Sequence, residues 1–115
     1  MLVHEMSLSQ GVVDVIEAAA RREGFTRVRT VWLEIGQLAA VDPEAMRFCF
    51  DVVTRGTCIE GAVLEIIATP GQGWCLKCSD SVVIDEPLGA CPRCGSHQIQ
   101  VTGGSELRVK ELEVE

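Results

Sequence analysis

Four cysteines in the second half of the chain have the spacing of a metal site. They form two Cys-x2-Cys pairs separated by twelve residues, namely Cys75, Cys78, Cys91 and Cys94. Each pair can direct two thiolates toward one point, and two pairs complete the tetrahedron of Zn–S bonds, each about 2.3 Å long, that structural zinc adopts. In the second pair, Pro92 and Gly95 favour the tight turn that such a pair needs. The spacing therefore predicts one structural Zn²⁺ per chain.

Other uses of these cysteines are less consistent with the sequence. A disulfide framework would call for an export signal, and none is visible. A thioredoxin-type redox pair remains open, as does iron, since rubredoxin-like sites share the four-thiolate pattern; colour separates iron from zinc, which is d10. Four thiolates leave no coordination position for substrate, so the site is expected to be structural. Cys49 is predicted to pack in the core of a helical stretch, and Cys58 is assigned no role.

Composition and charge limit the class of protein. The chain has 115 residues, 47% of them hydrophobic, which is the size of one small globular domain. No apolar run approaches the ~20 residues of a membrane helix, and no signal peptide opens the chain. Ten Lys and Arg against seventeen Asp and Glu give a net charge of −7, which is unfavourable for binding phosphate backbones. We therefore expect a cytoplasmic protein without a membrane or nucleic-acid partner.

Two helices are predicted before the cysteines. Apolar residues recur at helical spacing from Ser7 to Glu23, with Ser7 as the expected N-cap and Gly24 as the stop. The sequence Asp42-Pro43-Glu44 begins a second helix, because it combines a cap, a proline suited to the first turn and an acid near the positive end of the helix dipole. Phe48 widens the apolar stripe of this helix, so we expect it to be well buried.

Three strands complete the predicted body. Residues 27–35 alternate between apolar and polar, as in a half-buried strand, and the near-continuous apolar run 62–68 suggests the middle strand of the sheet. The helix between these strands predicts a right-handed crossover with the two strands parallel. Residues 107–114 form a last strand whose alternation slips, as at a β-bulge. The predicted fold is α/β (α+β), a small mixed three-stranded sheet with two helices.

The cysteines lie in an insert before the last strand. Short β-like runs at 81–84 and 98–101 flank them, and Gly71-Gln72-Gly73 and Gly103-Gly104 are interpreted as hinges. The predicted division is a body of residues 1–72 plus 103–115 and a zinc-ribbon-like four-cysteine lobe of residues 73–102.

The N-terminus, together with motifs along the rest of the chain, resembles one known family. The order His4-Glu5-Met6-Ser7-Leu8, Trp32-Leu33-Glu34-Ile35-Gly36, Phe48-Cys49-Phe50-Asp51, Cys-x2-Cys and Cys-Pro-x-Cys-Gly resembles the HypA/HybF nickel metallochaperones of [NiFe]-hydrogenase maturation. The motifs are individually short, but they run in order along essentially the whole chain.

The resemblance implies an accessory protein that is not an enzyme. Such proteins deliver Ni(II) to the hydrogenase large subunit together with a maturation GTPase, and some relatives serve urease. The resemblance places structural zinc at the four cysteines and nickel at His4 and Glu5, and His97 is a weaker candidate for a further nitrogen donor. Imidazole nitrogen suits Ni(II), and such donors must lose protons to bind, so acid should weaken binding.

Two alternatives to nickel delivery remain open at this stage. One is a zinc-ribbon interaction or regulatory module without nickel, and the other is an electron carrier with iron at the cysteines. No catalytic set surrounds either histidine and no phosphate-binding glycine loop exists, so nothing indicates an enzyme. Whether the protein is a monomer or a dimer is left open.

The family pattern begins Met-His-Glu, whereas this chain begins Met1-Leu2-Val3-His4-Glu5. Either the two-residue extension is real and nickel is held with other donors or weakly, or Val3 is a misread start. A GUG codon encodes Val internally but Met at initiation, and we favour this second hypothesis.

The start site gives the first testable prediction. Protein expressed from its natural gene should begin with Met in place of Val3, because a GUG start codon would be read as Met. The chain would then begin Met-His-Glu, with the terminal amine next to the histidine. Intact-mass measurement decides the matter, and a mass that includes Met1 and Leu2 would contradict the prediction.

Overall fold

The computed structural model describes residues 2–115, with side chains from His4 onward. In chain order the elements are α1 (Leu2–Glu23), β1 (Val28–Gly36), a short 3-10 helix (Gln37–Ala39), α2 (Pro43–Val53), β2 (Val63–Thr69), β3 (Gly71–Cys75), β4 (Asp80–Ile84), β5 (Ile99–Gly103) and β6 (Leu107–Val114). The strands form two sheets of three, in the orders β2-β1-β6 and β4-β3-β5. The predicted fold class is confirmed. Within the described residues no helix has the length and apolar character needed to cross a membrane.

Helix α1 is longer than the sequence indicated. It begins at Leu2, so the prediction of an N-cap at Ser7 is wrong. No Gly or Pro precedes Ser7 to stop the helix, and the buried face that includes Ile16 continues back through Ser9 to Glu5. Because of this extension, the backbone of His4 and Glu5 is helical. The predicted end is confirmed, since Gly24 has a φ of 81°.

Helix α2 begins as predicted. Its N-cap Asp42 accepts hydrogen bonds from the backbone N–H groups of Glu44 and Ala45. Cys49 is fully buried, which confirms its predicted place in the core. Phe48 is not buried as expected, because 58% of its surface is exposed. The buried face of α2 consists of Met46, Cys49 and Phe50, and the Phe48 side chain lies outside that face.

The first sheet has β1 in the middle, so the prediction that the apolar run at 62–68 forms the central strand is wrong. A short apolar run does not distinguish a central strand from an edge strand, and in β2 only Leu64 is buried. Strand β6 runs antiparallel to β1. Thr26 N–H donates to the carbonyl of Glu115 at the start of β1, and Gly36 N–H donates to that of Glu106 at its end.

The second sheet contains a strand that the sequence interpretation missed. Gly71-Gln72-Gly73, interpreted as a hinge, belongs to β3, the central strand of the sheet, which pairs antiparallel with both β4 and β5. A Cβ atom at Gly73 would overlap Ile99 Cγ2, and one at Gly71 would overlap the carbonyl of Ile84. These glycines therefore allow close approach of neighbouring atoms inside a strand.

The chain divides into two compact units. The first unit comprises Met1–Leu33, Val41–Ile66 and Arg108–Glu115, and the second comprises Glu34–Ala40 and Ile67–Leu107. All four cysteines of the paired motifs belong to the second unit. Its buried apolar cluster is small and consists of Leu38, Cys75, Val82, Ile84 and Cys91.

The close approach at Gly73 predicts a large effect of a single methyl group. Gly73→Ala should destabilise the second unit by about 1–3 kcal/mol, because the new Cβ overlaps Ile99 in a packed core. The matched control is Gly103→Ala in β5, where the nearest atom lies at 3.8 Å from the new Cβ. Thermal unfolding of both purified variants measures the difference, and equal losses would contradict this account of β3.

Candidate metal centre

The four paired cysteines converge on one point in the second unit. One sulfur from each residue lies within 4.8 Å of all the others. The Sγ atoms of Cys75 and Cys94 are 3.7 Å apart, and those of Cys78 and Cys91 are 3.9 Å apart. A tetrahedron with metal–sulfur bonds of about 2.3 Å requires sulfur–sulfur distances of about 3.8 Å. The donor set and its spacing therefore fit one ion of the size of zinc, bound by four thiolates.

Each Cys-x2-Cys pair is closed by its own backbone turn, and the two turns are of the same type. Ser79 N–H donates to the carbonyl of Cys75 at 2.8 Å, and Gly95 N–H donates to that of Cys91 at 2.8 Å. The two donors have positive φ values, 53° at Ser79 and 77° at Gly95. The role of Gly95 was visible in the sequence because glycine favours this conformation. Ser79 was missed, since a serine gives no such signal, although its place after the first pair matches that of Gly95.

Backbone N–H groups point at two of the sulfur atoms. Cys78 N–H lies 3.3 Å from Cys75 Sγ, and Arg93 N–H lies 3.4 Å from Cys91 Sγ. These donors favour the thiolate over the thiol, as oriented amides do at other anionic groups. The turns that bring the cysteines together thus also provide part of the stabilisation of their negative charge.

Two thiols of the cluster, those of Cys78 and Cys91, differ in how firmly they hold their protons. Contact with the Cys94 thiol, followed by burial, raises the pKa of Cys78 to about 12. Burial also acts to raise the pKa of Cys91, but the backbone N–H groups of Arg93 and Cys94 and the neighbouring thiols outweigh it and lower that pKa to about 7. A metal ion that binds all four sulfurs must therefore displace protons.

One exposed ion pair lies beside the cysteines. The guanidinium of Arg93 donates to Asp80 Oδ2 at 2.6 Å. This hydrogen bond holds the pKa of Asp80 below its ordinary value, and the Asp80 carboxylate raises the pKa of Arg93. Both side chains are more than half exposed, so the pair adds little stability. It does keep a positive charge beside the thiolates of the second unit.

The four cysteines differ in exposure. Cys75 and Cys91 are buried, Cys78 is half-buried and Cys94 is exposed. The two buried sulfurs belong to the apolar cluster of the second unit, where Leu38 and Ile84 also lie. The site is therefore part of the packing of this unit.

The two N-terminal candidates lie side by side in the first turns of α1 but in opposite environments. His4 is exposed, whereas only 2% of Glu5 is accessible to solvent. Glu5 Oε2 accepts a hydrogen bond from the backbone N–H of Asp42 at 3.1 Å. Glu5 Oε1 is buried without a hydrogen-bond partner among the described residues, an arrangement that costs about 1–3 kcal/mol.

The third candidate, His97, lies in the second unit. It is exposed, and its Nδ1 is 3.4 Å from the carbonyl oxygen of Leu88. Within residues 4–115 the four cysteines are the one group of three or more His, Cys, Asp or Glu side chains gathered at metal-binding distance. None of His4, Glu5 and His97 belongs to that group.

Comparison with known proteins gives a match along the whole chain. A family model described as "Hydrogenase/urease nickel incorporation, metallochaperone, hypA" matches residues 3–114. Relatives named hydrogenase maturation factor HypA include one from Dechloromonas aromatica at 58% identity and one from Albidiferax ferrireducens at 59%. Each alignment covers 113 residues, which is 98% of this chain and 100% of the relative.

Solved structures show the same fold. The solution structure of the Ni metallochaperone HypA from Helicobacter pylori matches with a TM-score of 0.71 at 23% identity, covering 96% of each chain. A second solution structure, of a HypA protein, matches with a TM-score of 0.70 at 24% identity, covering 98% of this chain and 97% of the other.

The cysteine cluster gives a prediction about metal content. Cys91→Ser should lose the bound metal ion, because a hydroxyl is a poor replacement for one of four soft thiolates. The matched control is Cys58→Ser, since Cys58 does not belong to the cluster. Elemental analysis of the purified proteins measures the result, with about one metal ion per chain expected for the control. Equal metal content in both variants would contradict the site.

Proposed function

We propose a function for this chain, which belongs to the HypA family of hydrogenase/urease nickel-incorporation metallochaperones. In this proposal the chain binds Ni(II) through His4 and Glu5 and delivers it during [NiFe]-hydrogenase maturation. The observation that carries the proposal is the family match over residues 3–114, which includes both nickel candidates and all four paired cysteines.

The chemistry of the two N-terminal residues supports a nickel site. His4 presents an exposed imidazole, which is a favoured donor for Ni(II). Glu5 provides a carboxyl oxygen that has no partner within the described chain. The exposed position of His4 near a helix start suits a cargo, because the metal must leave as well as enter. His97 is retained as a weaker candidate for a further nitrogen donor.

The four-cysteine site has a different role in this proposal. Zinc is the proposed ion, bound permanently by Cys75, Cys78, Cys91 and Cys94. Its four thiolates would complete the coordination of the ion and leave no position for substrate or cargo. We assign structural zinc to the lobe of residues 73–102 and nickel to the body of residues 1–72 plus 103–115.

The proposed setting follows from the family. The chain acts as an accessory protein and not as an enzyme, it works in the cytoplasm, and its partners are a maturation GTPase and the hydrogenase large subunit. Relatives named hydrogenase maturation factor support this assignment. A net charge of −7 disfavours nucleic acid as a partner. A zinc-ribbon module without nickel is the alternative, and it predicts that changes at His4 have no effect on metal binding.

The test is nickel titration of the zinc-loaded protein. His4→Ala should weaken nickel binding by more than about 100-fold, beyond the effect of losing a group that only orients a metal ligand, while zinc content and melting temperature stay unchanged. His97→Ala serves as the comparison and should have the smaller effect, because its ring is also exposed but it lies outside the N-terminal His-Glu pair. Nickel binding by His4→Ala equal to that of the unaltered protein would overturn the proposal.

A further inference from the structure

Glu5 is buried, although a residue that serves only as a metal ligand at an exposed terminus would not need to be. Its carboxyl group is buried, with Oε2 bonded to the Asp42 backbone N–H and Oε1 without a partner in the described chain. Neighbouring His4 is exposed. The His4 imidazole therefore faces solvent, whereas the Glu5 carboxyl group is closed to a metal ion arriving from solvent while the hydrogen bond to Asp42 keeps it inside.

The unsatisfied oxygen of Glu5 favours its release from the interior. The helix begins at Leu2, so Glu5 lies near the helix start, where helices fray most readily. Turning the carboxyl group outward removes the unsatisfied Oε1 from the interior, which favours the release.

The donor of this hydrogen bond, Asp42, is the N-cap residue of α2. The Asp42 side chain already accepts hydrogen bonds from the N–H groups of Glu44 and Ala45, so α2 keeps its cap when Glu5 leaves. The Asp42 N–H itself, 3.1 Å from Glu5 Oε2, is then free to bond to water. The bond between Glu5 and Asp42 can thus open and close without unfolding α2.

We propose that nickel binding by Glu5 and the hydrogen bond from Asp42 N–H to Glu5 are mutually exclusive. Glu5 exchanges the Asp42 amide for nickel when cargo is loaded, and the amide competes for the carboxyl group when cargo is released. The inference rests on the proposed nickel site at His4 and Glu5, and it adds a competitor inside the fold that limits nickel affinity.

The first measurement follows the Asp42 amide in the unaltered full chain. Residue-resolved hydrogen exchange is recorded on zinc-loaded protein with and without saturating nickel sulfate. Exchange at Asp42 should become roughly threefold to tenfold faster with nickel, as expected for the loss of one hydrogen bond. The control is Glu5→Gln, whose carbonyl oxygen can still accept from Asp42 but which offers nickel no carboxylate, so its Asp42 exchange should not change with nickel. Unchanged or slower exchange in the unaltered protein would overturn the inference.

The second measurement removes the competing donor. Asp42→Pro deletes the N–H at a residue whose φ of −80° a proline accepts. It also deletes the side-chain cap, so Asp42→Ala, which loses the cap but keeps the N–H, is the matched control. Nickel should bind roughly threefold to tenfold more tightly to Asp42→Pro than to Asp42→Ala. Equal or weaker binding would count against the inference, and the exchange measurement remains decisive if the proline variant does not fold.

The two proposals fail in different ways. Nickel binding that does not depend on His4 overturns the proposed nickel site. Nickel binding that depends on His4 and Glu5, with the Asp42 amide still protected, overturns only the competition. Nickel binding by Glu5→Gln equal to that of the unaltered protein removes Glu5 from the site and with it the inference.

Discussion

The convergence of four sulfur atoms is the constraint on which the second unit depends. The apolar cluster of that unit is small, and two of its five buried members are the cysteines Cys75 and Cys91. So small a core does not normally hold a fold by itself, and proteins in this range use metals or disulfides to compensate. The turns, the sheet β4-β3-β5 and the glycines of β3 all serve to bring these sulfurs within bonding range of one ion.

The two proposed metal sites solve opposite problems. A resident ion benefits from buried, charge-stabilised donors and a complete coordination shell, and the cysteine cluster has the geometry for both. A cargo ion needs donors that can also let go. One donor of the proposed nickel site, His4, is already exposed, whereas the other, Glu5, is engaged elsewhere in the protein. The difference between permanent and transient binding thus follows from where each donor lies before metal arrives.

The parts of the fold with local chemical signals were predictable from the sequence. The cap at Asp42, the stop at Gly24 and the cysteine spacing each report a local requirement, and each was identified correctly. Features that depend on distant neighbours were not. Glu5, in the missed first turns of α1, accepts a hydrogen bond from Asp42 far along the chain. Strand β3 was misinterpreted because the need for Gly73 arises from Ile99 across the sheet. For the same reason, no sequence signal indicated that Glu5 would be buried.

The unequal exposure of the four cysteines has a kinetic consequence. Cys94 is the exposed member of the cluster, whereas Cys75 and Cys91 are shielded. If the four sulfurs hold an ion, a competing chelator or an oxidant would reach it first at Cys94, and exchange of the ion would proceed through a state in which the other three sulfurs still hold it. Because Cys94 follows Cys91 in a turn and not in a strand, it can swing away while the sheet stays paired. The lifetime of the bound ion would then be set by this one outward-facing thiolate and much less by the strength of the buried core.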